Sequence, residues 1–124
     1  GSLPESWANM DSLLRLILSD NDLSGTLPAG WKAFTTLEDL NLSANNLNGT
    51  LVESWSDMRS LKHLYLADNQ LTSSIPETWN DMEMLETLDI SNNEFCGTLP
   101  DFLMEEPEPF DIDMSGNTFS CPVP

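Results

Sequence analysis

Basic side chains are scarce in this 124-residue chain: four Lys and Arg stand against 21 Asp and Glu, a net charge of −17. Nucleic acids and anionic membranes are recognised through basic footprints, so neither is an expected partner. The acidic balance suits a cationic partner or divalent ions, and equally a charged surface that serves only solubility. Long apolar runs are missing as well. No stretch reaches the roughly 18 apolar residues of a membrane span, so direct membrane insertion is not expected. Cysteine is limited to Cys96 and Cys121, histidine to His63 and tyrosine to Tyr65.

Repetition is what the chain has in abundance. Asparagine falls at Asn21, Asn45, Asn69, Asn93 and Asn117, each 24 residues from the last. Leu13, Leu16, Leu18 and Leu23 are followed in the same frame by Leu37, Leu40, Leu42 and Leu47, then by Leu61, Leu64, Leu66 and Leu71. A fourth copy runs Leu85, Leu88, Ile90, Phe95. This is the LxxLxLxxNxL frame of leucine-rich repeats, and a repeat of this length means coils stacked into a solenoid. The expected architecture is an α/β solenoid, a right-handed leucine-rich repeat superhelix. A parallel β-sheet lines its concave face, and 3₁₀ or short helical turns line the convex one.

Within a coil, Leu40 and Leu42 alternate with Asp39, Asn41 and Ser43, the period of a short strand. The asparagine then turns the chain, and its amide satisfies backbone groups that a buried turn would orphan, so that column is structural. The second half reads Gly25-Thr26-Leu27-Pro28, with copies at Gly49, Ser73 and Gly97. Glycine permits the bend, and proline suits the first position of a helical turn. Trp7, Trp31, Trp55 and Trp79 form a column whose plain reading is core.

The cysteines are 25 residues apart, one coil and one position. Stacked strands lie about 4.8 Å apart and a disulfide needs Cα atoms about 4.4–6.8 Å apart. The spacing therefore predicts a Cys96–Cys121 disulfide that staples the last coil and implies an oxidising compartment.

The expected division is Gly1-Ser2 as a tag scar, a partial repeat over 3–12, four 24-residue repeats over 13–108 with the last degenerate, and a capping coil over 109–124. Because the first motif is the back half of a repeat, the chain reads as a fragment with an uncapped N-terminal edge. Its Leu14, Leu16 and Leu18 strand is open to self-association, the basis of an alternative reading as a self-associating structural module.

The 24-residue length and the LxGxLP turn resemble the plant-type repeats of receptor-like kinases and receptor-like proteins. Leu3-Pro4-Glu5-Ser6-Trp7-Ala8-Asn9-Met10 and Ile75-Pro76-Glu77-Thr78-Trp79-Asn80-Asp81-Met82 resemble, more narrowly, the repeats of trypanosomatid surface antigens and proteophosphoglycans. That likeness implies a secreted or cell-surface glycoprotein, anchored through a segment outside these residues, that mediates adhesion and recognition of a protein ligand such as a host cell-surface receptor. The Ser- or Thr-rich stalk usual in that family is absent here. An ectodomain fragment of a plant-type receptor-like protein is the other alternative.

Function is expected on the outward strand positions. One column runs Arg15, Asp39, His63, Thr87, Asp111; the next runs Ile17, Asn41, Tyr65, Asp89, Asp113; a third holds Asp20, Ala44, Asp68, Asn92 and Gly116. Tyr65 beside His63 has the chemistry of a binding anchor, and Asp89, Asp111, Asp113 and Glu94 are expected to make one end of the face acidic. The protein-binding residues expected from this pattern are therefore Arg15, Ile17, Asp39, Asn41, His63, Tyr65, Asp68, Asp89, Glu94, Asp111 and Asp113. His63 and Asp39 lack a positioned Ser or Cys nucleophile, so a surface ion pair is expected and no catalytic residue or cofactor. Asp111 to Gly116 imitates a calcium loop, but its twelfth position is Pro122 in place of Glu, so no metal site is expected. Two glycosylation acceptors occur, Asn41-Leu42-Ser43 and Asn48-Gly49-Thr50. Asn48 falls on the flank, whereas a glycan at Asn41 would obstruct the concave face.

Overall fold

Residues 2–10, 12–97, 100, 103 and 111–117 are described by the computed structural model. The 24-residue frame folds as stacked coils. Strands β1 (Arg15–Ile17), β3 (Asp39–Asn41), β5 (His63–Tyr65), β7 (Thr87–Asp89) and β9 (Asp111–Asp113) form one parallel sheet in the order β1-β3-β5-β7-β9. The three inner strands bury their central residue, Leu40 and Leu64 fully and Leu88 nearly so, while Leu16 and Ile112 at the centres of the outer strands are half-buried. Alternation is what presents the flanking residues of each strand on the outer, concave surface.

A second sheet lies where the sequence reading expected only a turn and a bend. Strands β2 (Ser24–Gly25), β4 (Asn46–Thr50), β6 (Gln70–Ser73) and β8 (Glu94–Phe95) also run parallel, in the order β2-β4-β6-β8. Leu47, Leu71 and Phe95 are its fully buried residues, while Asn46, Asn48, Gln70 and Glu94 are exposed. The stretches Asn46-Leu47-Asn48 and Gln70-Leu71-Thr72 do alternate, but they are too short for periodicity alone to identify as strands.

The asparagines tie the turn between the two sheets to the backbone of neighbouring coils. Asn69 donates to the carbonyls of Leu66 and Ala67 in its own coil and of Leu42 in the preceding one, while its Oδ1 accepts from the Leu47 N–H. Asn45, Asn93 and Asn117 repeat the pattern. Among the described residues Asn21 makes two local bonds, to Leu18 and Ser19. One amide thus links three stretches of backbone across two coils, which confirms the structural reading of the column.

On the opposite side the described residues form four 3₁₀ turns, η1 (Glu5–Asn9), η2 (Ala29–Ala33), η3 (Glu53–Asp57) and η4 (Glu77–Asp81). Every helical segment among the described residues is 3₁₀. Proline does not begin these turns from within. Pro4, Pro28 and Pro76 stand just before them in extended backbone, with φ of −77°, −74° and −67°. Their carbonyls do the joining. Pro28 O accepts from the backbone N–H of Trp31 and from the indole N–H of Trp55, one coil on. Pro4 O does the same for Trp31, and Val52 O for Trp79.

Trp31, Trp55 and Trp79 are therefore buried with their polar edge satisfied. Trp7, Trp31 and Trp55 stack with ring centroids 6.3 Å apart. From Trp31 onward the column is core, as the sequence reading has it, and the indole N–H adds a bond from the next coil to a carbonyl that already serves its own turn.

Candidate functional site

Pairing register places the first two outward columns as expected. Arg15, Asp39, His63, Thr87 and Asp111 are successive partners across the main sheet, as are Ile17, Asn41, Tyr65, Asp89 and Asp113. The third column is placed differently. Asp20, Ala44, Asp68 and Asn92 have φ of 55–58° and Gly116 has 74°, so they form left-handed turns beyond the strands. Asp68 is exposed at such a turn and is not a strand position of the concave face. Glu94 also needs correction. It lies in β8, paired with Thr72 of β6, and so belongs to the second sheet. The asparagine turn at Asn93 separates it from Asp89.

The first column is a polar chain. Arg15 Nε lies 2.9 Å from Asp39 Oδ2, and His63 Nε2 lies 3.9 Å from Asp39 Oδ1. His63 Nδ1 is 3.2 Å from Thr87 Oγ1. Arg15 is three-quarters exposed, so its ion pair contributes less than about 1 kcal/mol. The pairing orients rather than stabilises. His63 in turn stacks on Tyr65 at 6.4 Å with an interplanar angle of 14°.

The second column has two kinds of member. Asn41, Asp89 and Asp113 each turn a side-chain oxygen back to the N–H two residues on, at Ser43, Ser91 and Ser115. The hydroxyls of Ser91 and Ser115 add bonds of 2.7 Å to the same carboxylate oxygens. The Ser115 hydroxyl first and its N–H second hold the Asp113 carboxyl below the usual aspartate range. Tyr65 and Ile17 make no such turn. Ile17 has no side-chain acceptor, and the Tyr65 phenol stands at the far end of its ring, away from its own backbone.

Tyr65, Thr87, Asp89, Asp111 and Asp113 surround a shallow depression of about 270 Å³, floored by Leu88 and Ile112. Among the described residues no Lys, Arg or His forms an ion pair with Asp89, Asp111 or Asp113. The face thus runs from one exposed guanidinium at β1 to the Tyr65 ring at β5 and three carboxylates at β7 and β9. Charge and ring together are suited to a basic side chain.

Other sites are placed as follows. Asn41 lies half-buried in the concave column, whereas Asn48 is exposed in β4 of the second sheet. Among the described residues no group of three or more His, Cys, Asp or Glu is disposed to hold a metal ion, and Cys96 is not a free thiol. Cys121 and the remainder of the expected capping coil, 118–124, lie outside the described residues, as do residues 104–110. No described helix is long and apolar enough to cross a membrane. β1 does form an edge of the main sheet, where Leu14 and Ile17 are each 56% exposed.

Two leucine-rich repeat family models match the chain, one over residues 35–95 and one over residues 12–34. None of the curated proteins compared with it matches. Among solved structures, the chain is similar to the BIR2 ectodomain of Arabidopsis thaliana, with 32% identity over 98% of this chain and 63% of that one and a TM-score of 0.87. A chain of the Arabidopsis thaliana BIR3–SERK2 complex shares 34% identity over 100% of this chain and 65% of that one, at a TM-score of 0.84. The leucine-rich repeat ectodomain of the Arabidopsis thaliana membrane receptor kinase GASSHO1/SCHENGEN3, in complex with CASPARIAN STRIP INTEGRITY FACTOR 2, shares 28% identity at a TM-score of 0.89. The match covers 99% of this chain and 15% of that one. The chain thus spans less than two thirds of each of these structures.

Proposed function

The chain belongs to the leucine-rich repeat family, and from that premise we propose that it is a non-enzymatic, extracellular protein-recognition module working through its concave sheet. The observation that carries the proposal is the depression walled by Tyr65, Thr87, Asp89, Asp111 and Asp113. Tyr65 supplies a rigid ring, the carboxylates supply charge, and His63 stacked on Tyr65 keeps the ring in place. An extended segment of a protein partner lies along the columns and seats a Lys or Arg there. The partner's own acidic groups meet Arg15 at the other end.

Such a face selects by electrostatics as well as by fit, so association falls as salt rises. The experiment is selection of a displayed random peptide library against the folded chain. Enrichment of Lys- and Arg-containing peptides is the expected result. Peptides that bind equally well to the Tyr65→Ala, Asp89→Asn double variant would count against the proposal.

Two origins fit such a module. The plant receptor ectodomains among the similar structures favour an ectodomain fragment of a plant-type receptor-like protein. The four successive Trp, standing where plant repeats usually carry Leu, favour the trypanosomatid surface-antigen relationship, with a host receptor as partner. Both place the module outside the cell, anchored through other segments. Self-association through the β1 edge is the reading that the exposure of Leu14 and Ile17 supports.

A further inference from the structure

The two glycosylation acceptors are alike in sequence and unlike in place. Asn48 projects from β4 with Asn46 and Thr50 on the same exposed face. Its partner across the sheet is Gln70, followed on that strand by Thr72, and Glu94 follows on the next. All of these side chains are polar and exposed, so a sugar attached there lies over polar groups and water. Asn41 is half-buried in the middle of the concave sheet, its Oδ1 accepting from the Ser43 N–H. Ile17 and Tyr65 are its partners on either side. The hydroxyl of its own acceptor motif, Ser43 Oγ, accepts from the Ala67 N–H.

We infer that Asn48 is an N-glycosylation site of this chain and that Asn41 is left unmodified. The co-reactant is an oligosaccharide carried on a lipid pyrophosphate. The Asn48 Nδ2 forms a bond to the anomeric carbon of the first sugar as the bond from that carbon to the pyrophosphate oxygen breaks. The lipid pyrophosphate leaves with the electron pair, and the amide gives up one proton to the transferase's base. The Thr50 hydroxyl completes the acceptor motif two residues on. No residue of the concave columns takes part.

The consequence is a division of faces. A glycan on β4 makes the second sheet a solvent-only surface and leaves the concave sheet as the side a partner can approach. The inference takes from the proposed function only the passage through the secretory compartment, and the two fail separately: occupancy is read on the unliganded chain, peptide binding on the unglycosylated one.

The test is secretion of the full chain from a eukaryotic host, enzymatic removal of N-glycans in ¹⁸O-water, and peptide mass mapping of the labelled Asp that replaces each glycosylated Asn. Where secretion is poor, the intracellular pool, which has already met the transferase, is mapped in the same way. Label at position 48 alone is expected, lost in Asn48→Gln and in Thr50→Ala and retained in Thr50→Ser. Gel mobility of Asn41→Gln is expected to match the parent. An unlabelled position 48, or label at position 41, would overturn the inference.

Discussion

Ser73 occupies left-handed backbone, φ 74°, at the position that Gly49 fills one coil earlier with φ 84°. Gly25 and Gly97 hold the equivalent places at 88° and 91°. A side chain with a Cβ is strained in that region, and only glycine is indifferent to it. Ser73→Gly is therefore expected to stabilise the fold by about 0.5–1 kcal/mol, raising Tm by about 2–5 °C. The reverse change, Gly49→Ala, is expected to destabilise, because an added Cβ would also stand 2.9 Å from Thr26 Cγ2. Thermal unfolding followed by circular dichroism distinguishes the two signs.

The turn column after the main strands gives a parallel case. Ala44 has φ 57° where the other coils place Asp20, Asp68, Asn92 and Gly116. Asp and Asn tolerate this conformation better than Ala, and Gly better still. Ala44→Gly is expected to gain about 0.5–1 kcal/mol in urea unfolding. The substitution removes no described hydrogen bond, so a loss of stability would show that the backbone there is not left-handed.

Asn69 and Asn21 share a frame position and differ in surroundings. Asn69 is buried and links two coils through four bonds, whereas Asn21 is exposed and makes two. Asn69→Ala strands the Leu47 N–H and the carbonyls it served, and is expected to cost about 2–4 kcal/mol. For Asn21→Ala the cost is expected below about 1 kcal/mol. Equal losses in denaturant titrations would contradict the ladder as the source of the difference.

Much of this was legible in the frame. Leu40, Leu64 and Leu88 announced the inward positions, and the asparagines their turns, because both recur at a period that stacking alone explains. Glu94 was misplaced because the sequence showed one strand per coil. The second sheet depends on Leu47, Leu71 and Phe95, single apolar residues whose alternation is too brief to be read locally. The double use of the Pro28 carbonyl, by Trp31 and Trp55, is invisible for another reason: a repeat marks a recurring residue without saying which of its atoms recurs in a bond.

Asp113 carries a titration prediction. Its carboxyl is held below the ordinary 3.8 by the Ser115 hydroxyl and then the Ser115 N–H. A lowered pKa in the folded state contributes stability that is present above the unfolded value and is lost as pH falls through the folded one. The contribution should therefore disappear only below about pH 3.8. A ¹³C carboxyl titration is expected to place Asp113 below the ordinary aspartate value, and Ser115→Ala to raise it. An unchanged midpoint in that variant would assign the shift to something else.

For the last coil we propose a Cys96–Cys121 disulfide. Its loop corresponds to about 3–4 kcal/mol in the chain-entropy account. Thiol counting on unreduced, denatured protein should find none free, and reduction should lower Tm. Two titratable thiols would remove the staple from the account.

The concave face is the centre of the functional reading, and amide hydrogen exchange tests it most directly. A Lys- or Arg-containing peptide recovered by library selection is added to the chain, and protection is read strand by strand. Slowed exchange in 63–68, 87–92 and 111–117, lost in Tyr65→Ala, is the expected result. Protection confined to 46–50 and 70–73, or to the 3₁₀ turns, would contradict it.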